Sequence, residues 1–388
     1  MSASEPKATL FNQCDYPKDD SLSYDQGRNS GPHNQRDDMP QPLSDQAKHR
    51  YSRQIRFPQI GESGQAYLRD ARVLLVGCGA LGSTIADTLV RAGVGFLRII
   101  DRDFLEISNL QRQVLFDEND VESMLPKAVA AAQHLQRINS TVTLEPIVAD
   151  VDASNIEGFA QDVDLIMDGS DNFEIRFLIN DVSIKHSIPW VYGGCLGADG
   201  QTMTILPNKS GCLNCLMLDG PPPPGTTPTC DSFGILSPII NVIASIQSLE
   251  AIKILTKQFD AVSNKLQVFS LWENQMRSID VSQLRDTVDC PTCKQQNFVW
   301  LSGERGSQTS VLCGRNSVQL SFGQRKNIDL NELANRLKGM GQVKKNQFML
   351  RFFADDISIT VFSDSRAIVS GTDDPAVARK IYTQYLGG

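Results

Sequence analysis

What this 388-residue chain lacks narrows its chemistry first. No apolar run approaches the length needed to cross a bilayer, so no membrane partner is expected. The N-terminus carries no basic-then-apolar signal pattern, which speaks against secretion and for a cytoplasmic protein. Positive charge is not in excess. There are 37 Lys and Arg against 45 Asp and Glu, a formal net charge of −8, so nucleic acid is not expected as a main partner. A Walker A lysine motif is missing, which argues against ordinary P-loop ATPase chemistry. Of the nine cysteines, four fall in two CxxC pairs. That pattern suggests metal binding in a reducing compartment rather than a disulfide framework.

What is present centres on residues 73–113, VLLVGCGALGSTIADTLVRAGVGFLRIIDRDFLEISNLQRQ. An apolar run at 73–76 reads as a fully buried strand. It runs into Gly77, Gly79 and Gly82, a GxGxxG loop that also contains Ala80. A helical pattern at 83–92 follows, then a second apolar run at 96–100 that ends at Asp101. This is a βαβ unit with a glycine-rich first turn. Gly77 permits the turn, Gly79 lets a phosphate approach the backbone, and Gly82 lets helix and strand pack closely. The helix start offers free N–H groups and a positive dipole end to phosphates. Asp101, about twenty residues past the glycines, is placed for ribose hydroxyls. Asp103, Asn109, Arg112 and Gln113 follow as further nucleotide-binding candidates. A dehydrogenase has no need for Arg112, whereas a site that neutralises a triphosphate and a leaving pyrophosphate does.

The segment IIDRDFLEISNLQRQ after GCGALG resembles the ThiF/MoeB/HesA-type adenylating enzymes, bacterial relatives of ubiquitin-activating E1 enzymes. The resemblance runs from about Lys48 to Phe298. It implies a Rossmann-like α/β adenylation domain with a mainly parallel sheet, ATP and Mg²⁺ as cofactors, and a ubiquitin-like sulfur-carrier protein ending in Gly-Gly as partner. It implies that Arg53, in the RYSRQ stretch, reaches the nucleotide phosphates of a neighbouring subunit, and hence a homodimer. It also implies that Lys127 contacts the triphosphate. A lysine at a helix start opposes the dipole, which fits a functional role.

The strand expected at 164–167 ends in Asp168, Gly169, Ser170, Asp171 and Asn172. In open α/β sheets ligands lie beyond the carboxyl ends of strands. Asp171 is therefore a candidate Mg²⁺ ligand, with Asn172 beside it and Ser170 where the family usually has Thr. Capping of the following helix is the competing use of Asp171. Cys212, Cys215, Cys290 and Cys293 form two CxxC knuckles, and four thiolates in tetrahedral geometry make a closed structural zinc site. Two separate redox motifs are the alternative. Between the knuckles, MLDGPPPPGTTPTCDS reads as a loop crossing the active site. Its Cys230 stands where the family carries a candidate nucleophile, and the nearby apolar helix at 239–255 could lower its pKa. A passive cysteine is the other reading. The run Gly193, Gly194, Cys195, Leu196, Gly197 lets another backbone lie close, and the resemblance suggests a carrier tail there.

Three regions follow: a disordered, polar tail at 1–45, the ATP-binding adenylation domain at 46–300, and a small α+β domain at 301–388. Cys14 and His33 in the tail, His134 and Cys313 read as incidental or structural. The terminal Gly387-Gly388 reads as a helix stop. The whole points to ATP-dependent adenylation of a carrier's C-terminal glycine, serving molybdopterin, thiamine or another sulfur-bearing product. An NAD-dependent oxidoreductase would account for GCGALG and Asp101 but leaves Arg112, Lys127 and the four cysteines unassigned. A non-catalytic ATP-binding scaffold is the remaining alternative.

Overall fold

The computed structural model describes residues 40–218, 220–222, 229–305, 311–312, 317–320, 328–354, 357–362 and 366–387. Cys14, His33, Cys313, Gly388, most of the expected tail and most of the proline-rich loop lie outside the described residues.

Alternating burial builds the first sheet. In β1 (Arg72–Val76), Val73 and Leu75 face one apolar cluster while Leu74 and Val76 face another. β2 (Phe96–Ile100) and β4 (Leu165–Asp168) divide the same way, Leu97 and Ile99 against Ile100, and Leu165 and Met167 against Ile166. Strands buried on both faces read as continuous apolar runs, as these do. With β3 (Thr143–Ile147) and β5 (Trp190–Leu196) they pair in parallel. β6 (Asp199–Ile205), β7 (Lys265–Ser270) and β8 (Gln275–Asp280) extend the sheet antiparallel. The order is β3-β2-β1-β4-β5-β6-β7-β8. Connections reverse direction between β1 and β4, which opens a crevice at their carboxyl ends.

Helices Ala80–Ala92, Lys127–Ile138 and Ser237–Leu255 cover one face, and Phe173–His186 the other. The helix Ser237–Leu255 corrects one expectation, because its 19 residues are long and apolar enough to cross a membrane by length and composition. It is nonetheless packed inside the fold. Ile239, Ile240, Ile243, Ala244, Gln247, Ala251 and Ile254 are all buried, and Gln247 donates to the carbonyls of Asp168 and Val191 at 2.9 and 3.3 Å.

The start of the fold also lies earlier than expected. Leu43, assigned above to the tail, is buried, and Arg69 donates to the carbonyls of Gln41 and Pro42. Ser44 caps the helix Asp45–Arg50.

The second sheet is antiparallel, formed by β9 (Val311–Leu312), β10 (Ser317–Leu320), β11 (Gln342–Lys345), β12 (Met349–Ala354), β13 (Ile357–Phe362) and β14 (Ala367–Ser370) in the order β11-β12-β13-β14-β10-β9. Helices Leu330–Leu337 and Pro375–Leu386 pack on the face carrying Val318, Leu350, Phe352, Ile359, Val361 and Val369. The alternate residues face the first domain. Phe362 stacks on Phe104 with ring centroids 5.1 Å apart, Gln319 donates to Asp150 at 3.0 Å, and Asn346 donates to the Met124 carbonyl at 2.9 Å.

Candidate active site

The crevice is closed at its base by three glycines that touch. A Cβ on Gly77, at φ +87°, would lie 2.7 Å from the Gly169 carbonyl oxygen, and one on Gly82 would lie 2.1 Å from the Gly77 oxygen. Gly169 itself would place a Cβ 2.3 Å from that same oxygen. Gly169 was not singled out from the sequence, although its place directly after a strand ending in Asp168 was the available signal. Gly79 differs. A Cβ there would meet only the Gln113 Nε2, at 3.9 Å, so its surface is open. No side chain caps the helix Ala80–Ala92 at Gly79, which leaves the first-turn N–H groups facing the crevice.

Asp101 is buried at the end of β2 and accepts the N–H groups of Cys78 and Asp103, each at 2.7 Å. It therefore ties the glycine loop to the segment after β2. Burial pushes its pKa up, and the nearby Lys127 ammonium pulls the other way. Lys127 is itself buried and lies 2.9 Å from an Asp103 carboxylate oxygen. The unfavourable lysine at a helix start is thus offset by a carboxylate from the neighbouring loop. Arg102 pairs with Asp150 at 3.1 Å.

Asn109 is buried, and its Oδ1 accepts the Glu106 N–H at 3.1 Å, which holds the turn that presents Arg112. Arg112 donates to the Ser108 carbonyl at 2.8 Å and pairs with no carboxylate among the described residues. Gln113 is buried, and its Oε1 has no hydrogen-bond partner among the described residues. A buried orphan acceptor is costly unless a ligand or water meets it. Here it sits in the side chain that borders the open surface of Gly79.

Across the crevice, Asp168 is buried and gathers Ser170 Oγ at 2.6 Å, the Ser170 N–H at 2.9 Å and Arg176 Nε at 3.1 Å. Arg176 also donates to the Gly193 carbonyl at 3.0 Å, so it clamps β4 to β5 rather than facing solvent. Sequence reading missed this role of Asp168, since a strand-terminal Asp does not reveal which cation it buries. Asp171 is exposed on the loop so fixed. The capping alternative for Asp171 does not hold. Asn172 caps the helix Phe173–His186, its Oδ1 accepting the Glu174 N–H at 2.8 Å.

Arg53 lies exposed in the short helix Ser52–Ile55, and nothing described joins it to the crevice of its own chain. Cys230 is part-buried and opens a separate one-turn helix, Cys230–Phe233. It does not start the long apolar helix, whose N-cap is Leu236, so the expected dipole effect of that helix is not supplied. The Cys230 thiol points at the Cys195 carbonyl 3.5 Å away. Burial raises the Cys195 thiol to about 12, as befits a packed neutral side chain. The backbone lying against Gly197 belongs to the chain itself. Gly197 N–H donates to Gly234 and Leu236 N–H donates to Gly197, both at 2.9 Å. His134 pairs with Asp120 at 2.8 Å, away from the crevice.

The four knuckle cysteines converge in a cluster of their own. Cys212 lies 3.9 Å from Cys215 and 3.6 Å from Cys290, and Cys215 lies 3.5 Å from Cys293, sulfur to sulfur. Four sulfurs about 2.3 Å from a common tetrahedral centre would be about 3.8 Å apart, so the cluster fits zinc. All four are buried and unbridged. The surrounding shell is polar and directed: Asn214 donates to Thr292 at 2.6 Å, and Asp181 accepts the N–H groups of Trp300 and Leu301. These contacts draw residues 290–301 onto the helix Phe173–His186.

Known proteins are similar to this chain. Residues 51–292 match the ThiF family. The sulfur carrier protein ThiS adenylyltransferase of Bacillus subtilis (strain 168) is 42% identical over 339 residues, covering 87% of this chain and 99% of that protein. That alignment is longer than the adenylation domain, so the likeness includes the C-terminal domain. The SAMP-activating enzyme E1 of Haloferax volcanii is 37% identical, covering 63% of this chain and 88% of that protein. The MOCS3 adenylyltransferase and sulfurtransferase of Danio rerio is 37% identical, covering 62% and 52%. Among solved structures, E. coli MccB with ATP superposes with a TM-score of 0.55 at 24% identity, over 63% of this chain and 74% of that one, a likeness of fold. With the glycine crevice, the paired lysine and the four-cysteine cluster in place, the chain belongs to the ThiF family of E1-like adenylating enzymes.

Proposed function

We propose that the protein adenylates the C-terminal glycine of a small ubiquitin-like sulfur-carrier protein, using ATP. The observation that carries this reading is the open, polar wall of the crevice. Gly79 leaves room for phosphate, and Gln113 Oε1 beside it lacks a partner among the described residues. Arg112 adds a guanidinium that pairs with no carboxylate among the described residues. Asp101 supplies the remaining lone pairs of its carboxylate to the ribose. Arg112 and Lys127 balance phosphate charge. A divalent cation, Mg²⁺, would be held by the exposed Asp171 and would supply charge neutralisation at the phosphates.

In the reaction a glycine carboxylate oxygen attacks the α-phosphorus of ATP. A new O–P bond forms, the bond to the β-phosphate oxygen breaks, and pyrophosphate leaves with its electron pair. The carboxylate is already ionised, so no general base is required. Positioning and charge stabilisation by Arg112 and Lys127 carry the rate. Nothing in the first step needs a thiol, so the place of Cys230 is after adenylation. We further propose a homodimer in which Arg53 reaches the partner's phosphates, and a structural Zn²⁺ on the four cysteines that takes no part in the chemistry. The seven unbridged cysteines of the described residues suit a reducing, cytoplasmic setting.

The test is to incubate the chain with ATP, Mg²⁺ and a carrier ending in Gly-Gly and to read the carrier's intact mass. Addition of one adenylyl group, absent with Lys127→Ala, supports the reading. An unmodified carrier together with bound NAD in place of ATP overturns it in favour of a dehydrogenase.

A further inference from the structure

The C-terminal sheet turns an unusual face to the first domain. Strand alternation places Val318, Leu350, Phe352, Ile359, Val361 and Val369 under the two helices. The residues between them point the other way, and several are polar although covered. Ser317, Gln319 and Thr360 are each at least nine-tenths buried. Each has a partner: Ser317 Oγ donates to Ser370 Oγ at 2.9 Å, Gln319 donates to Asp150 at 3.0 Å, and the Thr360 hydroxyl accepts from Arg351, so this face is a hydrogen-bonded polar surface rather than an apolar seam. Apolar contact is confined to one corner, where Phe104, Met349 and Phe362 meet.

Beside that corner a cavity of about 380 Å³ opens between the domains. One wall is the turn that follows β2, with Ser108, Asn109 and Arg112. The other is the C-terminal sheet, with Ser317, Arg351, Thr360 and Ser370. Two guanidinium groups thus line one space from two domains. Arg351 donates to the Thr360 hydroxyl at 3.3 Å, and neither arginine pairs with a carboxylate among the described residues. Two carboxylates share the lining, but each has a partner. Asp103 holds Lys127 at 2.9 Å, and Glu106 caps its own turn and accepts the Ser108 hydroxyl at 3.5 Å. Arginines with hydroxyls around them are the donor set that phosphate oxygens take.

We propose that the C-terminal domain completes the nucleotide site, with Arg351 and Arg112 together binding the β- and γ-phosphates of ATP and the pyrophosphate that leaves. This deepens the adenylation reading and rests on it. Within one chain, Arg112 and Lys127 hold the departing group from the first domain only. Arg351 closes on it from the second domain, so that docking of the C-terminal sheet and retention of the polyphosphate become one event.

The experiment compares the full-length wild type with Arg351→Gln and Arg112→Gln, measuring equilibrium binding of ATP and AMP and displacement of ATP by inorganic pyrophosphate. The expected result is that Arg351→Gln weakens ATP and pyrophosphate by about tenfold or more and leaves AMP, which lacks both outer phosphates, unchanged. Arg351→Lys, which keeps the charge but not the fork, should recover part of the loss. Unchanged ATP binding in Arg351→Gln overturns the proposal. So does an equal loss of ATP and AMP, which would mean a change of fold. If Arg112→Gln weakens ATP while Arg351→Gln does not, the pocket assignment fails and the adenylation reading stands. If wild type binds no ATP, both fail.

Discussion

The glycines of the crevice do different jobs, and alanine at each should separate them. Gly82→Ala and Gly169→Ala drive a methyl group into the Gly77 carbonyl, at 2.1 and 2.3 Å before relaxation. Each should cost about 3 kcal/mol of stability and abolish ATP binding. Gly79→Ala meets no such wall, since the nearest atom is a flexible amide at 3.9 Å. It should cost about 1 kcal/mol and still weaken ATP binding strongly, because the methyl occupies phosphate space. Thermal melts beside ATP titrations would check this. A Gly79→Ala protein that binds ATP normally would mean that the phosphates lie elsewhere. At this scale the sequence carried the identity of Gly77, Gly79, Gly82, Asp101 and Lys127 but not their partners. Asp103 beneath Lys127, and Arg176 on Asp168, are contacts between segments far apart in the chain. No local pattern encodes them.

Among the elements, those with a strong local signal were the legible ones. β1, its glycine turn, the following helix and β2 are contiguous, and their burial on both sheet faces leaves unbroken apolar runs. β8 was not legible. Every residue in it is exposed, so it shows neither alternation nor an apolar run. β11, QVKK, holds one apolar residue, the part-buried Val343, which is too little to show a period. The helix Ser237–Leu255 illustrates the opposite limit: contact with both the sheet and the helix Ala80–Ala92 makes it apolar on most sides, and composition alone then resembles a membrane span. The two CxxC knuckles were readable because ligand spacing is chemical rather than conformational. Their metal should act as a staple. Removing it with a chelator, or replacing Cys290 with Ser, should destabilise the chain by more than about 2 kcal/mol. ATP affinity measured below the lowered Tm should stay near its original value. Metal analysis and melting curves would show it, and an unchanged Tm after complete metal loss would contradict it.

On the scale of the whole molecule, two relationships extend beyond one segment or one chain. The docking of the C-terminal sheet was hidden in the sequence, because a polar-apolar alternation does not say whether its polar face meets water or a neighbouring domain. Arg53 poses the second question, being exposed and joined to no crevice residue of its own chain among those described. If it serves a partner's site, Arg53→Ala and Lys127→Ala proteins, each inactive alone, should regain activity when mixed. A mixed dimer holds one site with both residues intact, so about a quarter of wild-type activity should return. Service within one chain would give no recovery.

Whether the molecule as a whole is an adenylating enzyme can be read from carrier-dependent exchange of labelled pyrophosphate into ATP. Exchange requires that ATP, Arg112, Lys127 and a carrier carboxylate meet in one reversible step. ThiS-like and MoaD-like carriers ending in Gly-Gly would be supplied in turn. The proposed function predicts label in ATP with at least one carrier, no label without a carrier, and loss of exchange in Arg112→Ala. No exchange with any such carrier, from a chain that binds both zinc and ATP, would contradict it.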